Sequence, residues 1–455
     1  MLSAGIQIAG ARTRGSARLR SLTYDCATGS AFDARATMQE SVDPGTGTKQ
    51  AVADRGAQLA VKTTRPLRVC MLAYTFYESD GRVMRYAETL AQEGMDVESI
   101  VLRKEQQSVE EVLNGVRVVR VQRREKNESG KFGYLWRILK FFFVSMLEIT
   151  RRHLKQPFDV IHVHSVPDFE VFAAWVPKLL GARVILDIHD ILPEFYAAKF
   201  NVGENSLVVR ALKLVERLSG AFSDHVIAAN DLWLSKLTQR SVRAEKCSSF
   251  INYPDMSLFN PELRSRGEDG KFIMIYPGSL NWHQGLDLGI RAFALASPQA
   301  PGMEFHIFGE GSAKPELARL IDELGLQEQV FLRPSMPIRQ IASVMADADL
   351  GIVPKRDDSF GGEAFSTKIL EFMALGTPIV VASTRIDKHY FDDSLVRFFA
   401  PGDERDLARQ MLDSYRDRER SRRLSQNALD YAKKMSWANK RNEYMQIVSR
   451  LAGAR

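Results

Sequence analysis

Twice along this chain, short apolar runs alternate with longer amphipathic stretches, and that alternation restricts the fold more than any other feature. The first series opens with RVCMLAY (68–74), passes through VESIVL, VRVVRV, DVIHVH and RVILDIH, and closes with DHVIAA. A helix is expected over Arg82–Gln92, with Gly94 at its exit. After the turn-rich PELRSRGEDGK (261–271) a second series begins with FIMIYPG and continues through MEFHIFG, QVFLRP, DLGIVP and PIVVA to LVRFFA. Apolar runs joined by helical crossovers build parallel sheets with helices on both faces. The expected fold class is therefore α/β, with two Rossmann-like doubly wound sheets, over 66–260 and 271–435. Their strand carboxyl ends can face a common cleft.

The residues before the first run read differently. Positions 1–65 lack periodicity and are rich in Ala, Gly, Ser, Thr and Arg. That composition suits a disordered extension or, in its acid-poor first thirty or so residues, a transit peptide. With 455 residues the chain exceeds one ordinary core. Its three cysteines are far apart, which argues against a disulfide framework or a thiolate zinc site. A net charge of +6 leaves nucleic acid, an anionic membrane or an anionic substrate open. No RNP-like, zinc-finger or helix-turn-helix pattern supports nucleic acid. No apolar run is long enough to span a bilayer. KFGYLWRILKFFFVSMLEITRRHLK (131–155) combines aromatic and basic residues, and reads either as a helix packed on the first sheet or as one lying on an anionic membrane surface.

Residues 363–378, EAFSTKILEFMALGTP, carry two glutamates, Glu363 and Glu371, around the start of a short apolar helix. Gly376 and Pro378 end that helix. Taken singly, the two acids could be a loop glutamate and a surface helix glutamate. Together at a loop-to-helix junction they suit a polyhydroxyl ligand held by charge-assisted hydrogen bonds.

The segment resembles the E-x7-E signature of the retaining GT-B transferases of glycosyltransferase family 4. YPGSLNWHQGLDLGIRAFA (276–294), FHIFGEGSAKPELARLIDELGL (305–326), VFLRPSMP and ADADLGIVP resemble the family's donor domain, in the expected order. DVIHVHSVPDFEVF and VILDIHDILPEF resemble its acceptor domain. The resemblance covers roughly 66–450 and implies a nucleotide-sugar donor, a UDP- or GDP-sugar, with no cofactor or bound metal. It implies that Glu371 holds the ribose hydroxyls and Glu363 those of the transferred sugar. The amides of Ala364, Phe365 and Ser366 would face sugar and phosphate at the helix start, with Gly278 and Ser279 beside them and Arg333 near the base. His189, by itself as readily structural, matches the family's cleft histidine. Asp80, Gly81, Arg82, His164 and Asp190 fall on the acceptor side. A last helix over 436–455 would cross back to the first domain. The acceptor implied is a cell-surface or polyprenyl-linked glycan, and the location the cytoplasm or the inner face of its membrane.

Two departures stand out. The family's diphosphate-gripping Arg and Lys are here Ser279 and Gln284, and the usual glycine-rich loop is YESDGRVMR (77–85). Lys368, in the first turn of the helix, is the expected replacement cation, with Lys355 and Arg356 as second candidates. An inactive scaffold subunit or a nucleotide-sugar epimerase remains the alternative. Two metal readings are weak. One joins His162, His164, His189 and Asp190; the other is the D-x-D of Asp347 and Asp349, which read as boundary residues of a helix.

Overall fold

A computed structural model describes residues 65–124, 131–200 and 202–453, all within the compact unit Val61–Arg455. The extension over 1–64 lies outside the described residues. The first sheet takes β1 (Arg68–Ala73), β2 (Asp96–Arg103), β3 (Glu110–Leu113), β4 (Val116–Arg123), β5 (Val160–His164), β6 (Arg183–Ile188), β7 (His225–Ala228) and β8 (Cys247–Ser249). Their order is β3-β4-β2-β1-β5-β6-β7-β8, parallel except for the β3–β4 hairpin. The helices between them are α1 (Gly81–Gln92), α2 (Lys131–Lys155), α3 (Trp175–Leu179), α4 (Leu192–Phe200), α5 (Leu207–Phe222) and α6 (Asp231–Arg240). Strand β4 carries the expected run VRVVRV, whereas its hairpin partner β3 was not among the expected strands. The hairpin turns at Asn114 (φ 49°) and Gly115 (φ 84°), where both central residues take the left-handed conformation a two-residue hairpin favours.

The second sheet contains β9 (Phe272–Pro277), β10 (Met303–Phe308), β11 (Val330–Arg333), β12 (Leu350–Val353), β13 (Ile379–Ala382) and β14 (Arg397–Phe399). It is wholly parallel in the order β11-β10-β9-β12-β13-β14. Its helices are α7 (Leu286–Ala296), α8 (Lys314–Glu323), α9 (Ile338–Ala346), α10 (Thr367–Leu375), α11 (Arg385–Tyr390), α12 (Glu404–Arg416) and α13 (Arg418–Lys434). This is the GT-B architecture: two Rossmann-like lobes. In each sheet the connection reverses direction at the central strand, β1 in one and β9 in the other, and ligands of open α/β sheets bind beyond such a reversal.

Alternation along β1 shows how the apolar runs are used. Val69, Met71 and Ala73 enter one core cluster, Cys70 and Leu72 another on the opposite face. The first cluster also takes in Ile275 of β9, the buried face of α10 and residues of α14 (Trp437–Gly453), so one apolar layer serves both lobes. Helix α14 is pinned to the first lobe by polar tips. Tyr444 Oη lies 2.9 Å from His162 Nδ1, and Trp437 Nε1 donates to Thr89 Oγ1 at 2.8 Å. The Tyr444 ring is buried and that of Trp437 half-buried, and each has its one polar atom satisfied.

Candidate functional site

At the second sheet's carboxyl end, backbone passes so close to backbone that side chains are excluded. A Cβ on Gly309 (φ 158°) would stand 1.8 Å from Gly278 O, and one on Gly285 (φ 67°) 2.0 Å from Pro354 O. The bare backbone leaves Gly278 and Ser279 exposed at the strand tip. Tyr276 Oη ties the departing loop, its one proton shared between Ser279 O at 3.0 Å and Gln284 Oε1 at 2.9 Å. Ser279 and Gln284, which stand where the resemblance implies two cations, are therefore neutral residues on one tyrosine hydroxyl.

Facing this loop is the start of α10. Its N-cap, Ser366, makes no side-chain cap, and the serine hydroxyl has no partner among the described residues. The first-turn N–H groups of a helix lack intrahelical acceptors and carry the positive end of its dipole. A cavity of about 140 Å³ opens here, lined by His283, Gln284, Ala364, Ser366, Thr367 and Lys368, among others. Roughly four or five waters would fill it, enough for a phosphate-sized group.

Lys368 is the informative side chain. Its ammonium lies 5.1 Å from the Tyr276 ring centroid and approaches the place where a Cβ on Gly278 would stand. No carboxylate forms an ion pair with it among the described residues. Burial, against the opposing pull of Glu371, pushes its pKa down to about 8. Glu371, one turn on, is half-buried, and burial raises its pKa against the fields of Lys368 and of Arg85 from α1. The second candidates are already engaged. Lys355 is buried, pairs with Asp387 at 2.9 Å and donates to Ala364 O at 2.8 Å. Arg356 grips both oxygens of Asp287 at 2.8 and 2.6 Å and lies 3.6 Å over Trp282.

Glu363 is buried and bridges the lobes. Arg385 meets one carboxylate oxygen at 2.7 Å, and Lys236, on α6 of the other lobe, meets the second at 2.5 Å. Asn230, which caps α6, donates to Glu363 O at 3.0 Å. Phe360, three residues earlier, inserts into the first lobe's core between Phe195 and Trp233. At 2% exposed the carboxylate is enclosed by its two cations, so a sugar hydroxyl reaches it only if Lys236 or Arg385 yields one of its lone pairs. Lys236, Asn230 and Arg385 were not expected from the sequence. Only their folded positions bring them to Glu363, so no local pattern marks them.

In the first lobe the strand ends carry a buried charge network. Asp187 is fully buried, and Arg82 donates to it twice, at 2.7 and 2.8 Å, and again to Phe250 O at 2.7 Å. His164 Nδ1 and His189 Nε2 stand 3.3 and 3.2 Å from the same carboxylate and 3.1 Å from each other. Burial alone would raise the Asp187 pKa, but Arg82 and the imidazoles hold it well below the usual range. Burial lowers the pKa of His162 and His164, keeping both rings neutral. Asp187 is marked in the sequence as the one acid in the otherwise apolar core of the strand RVILDI.

Two acceptor-side expectations are corrected here. Arg82 and His164 are 6% and 2% exposed, so neither faces the cleft; a buried aspartate requires them as partners. His189 sits at the cleft edge of the network with its side chain 21% exposed, and Asp190 follows it with its carboxyl pKa raised by burial. Asp80 caps α1 by accepting from Arg82 N and Val83 N, and Gly81 opens that helix with clear space above it. Arg333 ends β11 exposed, its guanidinium 5.1 Å from the Phe331 ring centroid.

Ligating atoms of His162, His164 and Asp187 lie within 4.8 Å of one another. The Arg82 guanidinium already occupies both Asp187 oxygens, so the trio is a neutralised cluster rather than an open ligand set. Asp347 accepts from Ser265 N at 2.6 Å and Arg266 N at 2.7 Å, while Asp349 pairs with Arg266 at 2.9 Å. The D-x-D carboxylates are thus spent on holding the segment between the two lobes.

Residues 261–431 match the profile of the family described as Glycosyl transferases group 1, and residues 81–249 that of the Glycosyl transferase 4-like domain. The chain is 24% identical over 384 residues to D-inositol 3-phosphate glycosyltransferase of Thermomonospora curvata, spanning 78% of this chain and 86% of that one. Among solved structures it resembles sucrose-phosphate synthase from Thermosynechococcus elongatus, with a TM-score of 0.71 at 16% identity over 86% of this chain and 100% of the other. It also resembles Anabaena Alr3699/HepE in complex with UDP-glucose, with a TM-score of 0.64 at 16% identity over 84% and 99%. At such identities the structural likeness speaks for the fold alone.

Proposed function

The chain belongs to the group 1 glycosyltransferases, and from that premise we propose that it transfers a sugar, with retention and without a bound metal, from a nucleotide diphosphate donor to a cell-surface or polyprenyl-linked glycan. The observation that supports this reading most is the unpaired Lys368 ammonium beside the open first turn of α10. A cation left without a carboxylate in a half-buried cavity is costly unless an anion joins it. A diphosphate meets that need, and its arrival would also raise the depressed Lys368 pKa. UDP is the donor nucleotide we favour, since the Anabaena protein with the same fold was crystallised with UDP-glucose.

In this reading Glu371 takes the ribose hydroxyls and Glu363 those of the sugar, while the amides of Ala364, Phe365 and Ser366 face sugar and phosphate. Arg333 borders the base through its main chain. His189 presents one polar edge to the sugar, its ring fixed by Asp187 and His164. The sugar–phosphate bond breaks as the acceptor oxygen bonds to the same carbon, and the acceptor's hydroxyl proton passes to the departing diphosphate oxygen. Stabilising the departing diphosphate is the largest task of such a step, and it falls to Lys368 and the helix start.

The acceptor side faces a membrane in this proposal. No helix among the described residues is long and apolar enough to cross one, so contact would be peripheral, at the inner face of the cytoplasmic membrane. Thermal shift against UDP-, GDP- and ADP-sugars, followed by nucleotide release with and without a membrane glycan extract, tests the whole reading. Ligand at about 100 times its dissociation constant adds roughly 2.7 kcal/mol of stability. Release that depends on the extract and survives a chelator supports the transferase. Binding without extract-dependent release would point to the inactive scaffold.

A further inference from the structure

Two charge groups on either side of the lobe boundary are out of balance in opposite senses. Glu363, in the second lobe, has two cations on one carboxylate, Arg385 and Lys236. In the first lobe, Glu194 of α4 and Glu216 of α5 share a single guanidinium, that of Arg240. Both of these glutamates are buried, and burial together with the charge of Glu216 raises the pKa of neighbouring Asp168 to about 7. Two buried carboxylates on one guanidinium leave a negative charge uncompensated, which is costly away from water.

Lys236 stands between the two groups. Its ammonium is 2.5 Å from Glu363 Oε2 and 4.0 Å from Glu194 Oε1. A shift of roughly 1 Å would bring it within hydrogen-bond distance of Glu194. Its present seat is a poor one. Glu363 Oε2 is buried and, despite the short distance, accepts no hydrogen bond of acceptable angle among the described residues. Arg385, by contrast, donates to Glu363 Oε1 at 2.7 Å and pairs with no other acid among the described residues. Of the two cations, Lys236 is the one with a second acid within reach.

The backbone under Lys236 is fixed. Trp233 and Leu237 bury the neighbouring face of α6, and Asn230 Nδ2 donates to Glu363 O at 3.0 Å. The Lys236 side chain is 33% exposed, so its four-carbon stem can swing while α6 stays tied to Glu363. The lobes need not separate for the ammonium to change partners.

We propose that Lys236 is a two-position cation that distinguishes a sugar-bearing donor from the bare nucleotide. It covers Glu363 Oε2 until a hydroxyl of the transferred sugar takes that oxygen, and then it moves to Glu194. The inference rests on the reading that Glu363 receives sugar hydroxyls. The sugar supplies the hydrogen bond that Oε2 lacks, and the move balances both charge groups. A nucleoside diphosphate brings no hydroxyl to Glu363 and leaves Lys236 in its first seat.

The test titrates the full chain with UDP and with UDP-glucose, UDP-galactose and UDP-N-acetylglucosamine. It reads the ratio of UDP-sugar to UDP affinity for the sugar that binds most tightly, and UDP binding reports that each variant folds. Lys236→Met removes the competitor and should raise the ratio about tenfold, as expected if the ammonium covers Glu363 about nine-tenths of the time. Glu194→Gln removes the second seat and should lower the ratio about threefold, but have no effect once Lys236 is Met. A mere pin between the lobes would change UDP and UDP-sugar affinity alike and leave the ratio where it was. A ratio that falls in Lys236→Met makes the lysine a direct sugar contact and overturns the proposal. So does a Glu194→Gln loss that persists in the double variant. A ratio unchanged in Lys236→Met but lowered in Glu363→Ala overturns it too, while keeping the sugar on Glu363. A ratio unchanged in both removes the sugar contact of Glu363 and this inference with it, and binding of none of the UDP-sugars removes the donor reading as well.

Discussion

At the end of β6, Asp187 is fully buried and holds a guanidinium and two imidazoles; at the end of β9, Gly278 and Ser279 are bare and the nearest cation, Lys368, has no carboxylate on it. The first lobe partners the Asp187 carboxylate entirely from within, whereas the second leaves a cation and a helix start unsatisfied. A closed network of this kind fixes positions, His189 above all, and costs much to break. An incomplete one is a place for a ligand. Under the proposed function, the contrast gives the first lobe's strand ends a rigid frame and the second's the diphosphate.

The largest effect should come from breaking the closed network. Asp187→Ala strands Arg82 as a buried charge and should cost about 3–5 kcal/mol in chemical denaturation. Adding Arg82→Met should recover much of that loss. A single mutant as stable as the parent would mean the network does not hold the frame.

On the donor side the losses should appear in ligand binding. Glu371→Ala removes a charge-assisted contact worth about 1.5–3 kcal/mol, so nucleotide affinity should fall roughly ten- to a hundredfold while the fold persists. Glu363→Ala should chiefly lower turnover. Calorimetric titration and steady-state kinetics separate the two, and unchanged nucleotide affinity in Glu371→Ala would remove its ribose contact.

Titration of Lys368 gives a smaller, graded change. Its pKa in the free protein is about 8, so the cation is present below that pH and is lost above it. Diphosphate affinity should therefore decline as pH rises through about 8, by no more than tenfold per pH unit, until the liganded pKa is reached. Nucleoside affinity should stay level, and Lys368→Arg should abolish the decline, because arginine keeps its proton.

The smallest effect is expected at the D-x-D. Asp347→Asn should cost about 1 kcal/mol of stability through weaker bonds to Ser265 and Arg266. Its turnover with chelator should match the parent's. A metal requirement that disappears with Asp347 would reverse the assignment.

The sequence made these two halves unequally readable. RVCMLA and FIMIYP read as buried strands because parallel sheets between helix layers need unbroken apolar runs. Gly376 is the exit of α10 at φ 67°, as the Gly-Thr-Pro stop implied. The hairpin at Asn114–Gly115 carried a local signal that went unread beside the stronger alternation. The resemblance sets Arg82 and His164 on the acceptor side, whereas the pull of Asp187, distant in sequence from Arg82, keeps both inside. The bridge from Lys236 to Glu363 and the insertion of Phe360 join residues more than a hundred positions apart in the chain, and no periodicity reveals such contacts.

The most direct test of the contrast compares UDP with uridine binding in the parent and in Lys368→Ala. If the open end of the second sheet is a diphosphate site, the mutant keeps its affinity for uridine and loses about 1.5–3 kcal/mol of the increment that the diphosphate adds. An undiminished increment would contradict the account, placing the diphosphate away from Lys368 and leaving its bare ammonium without a ligand.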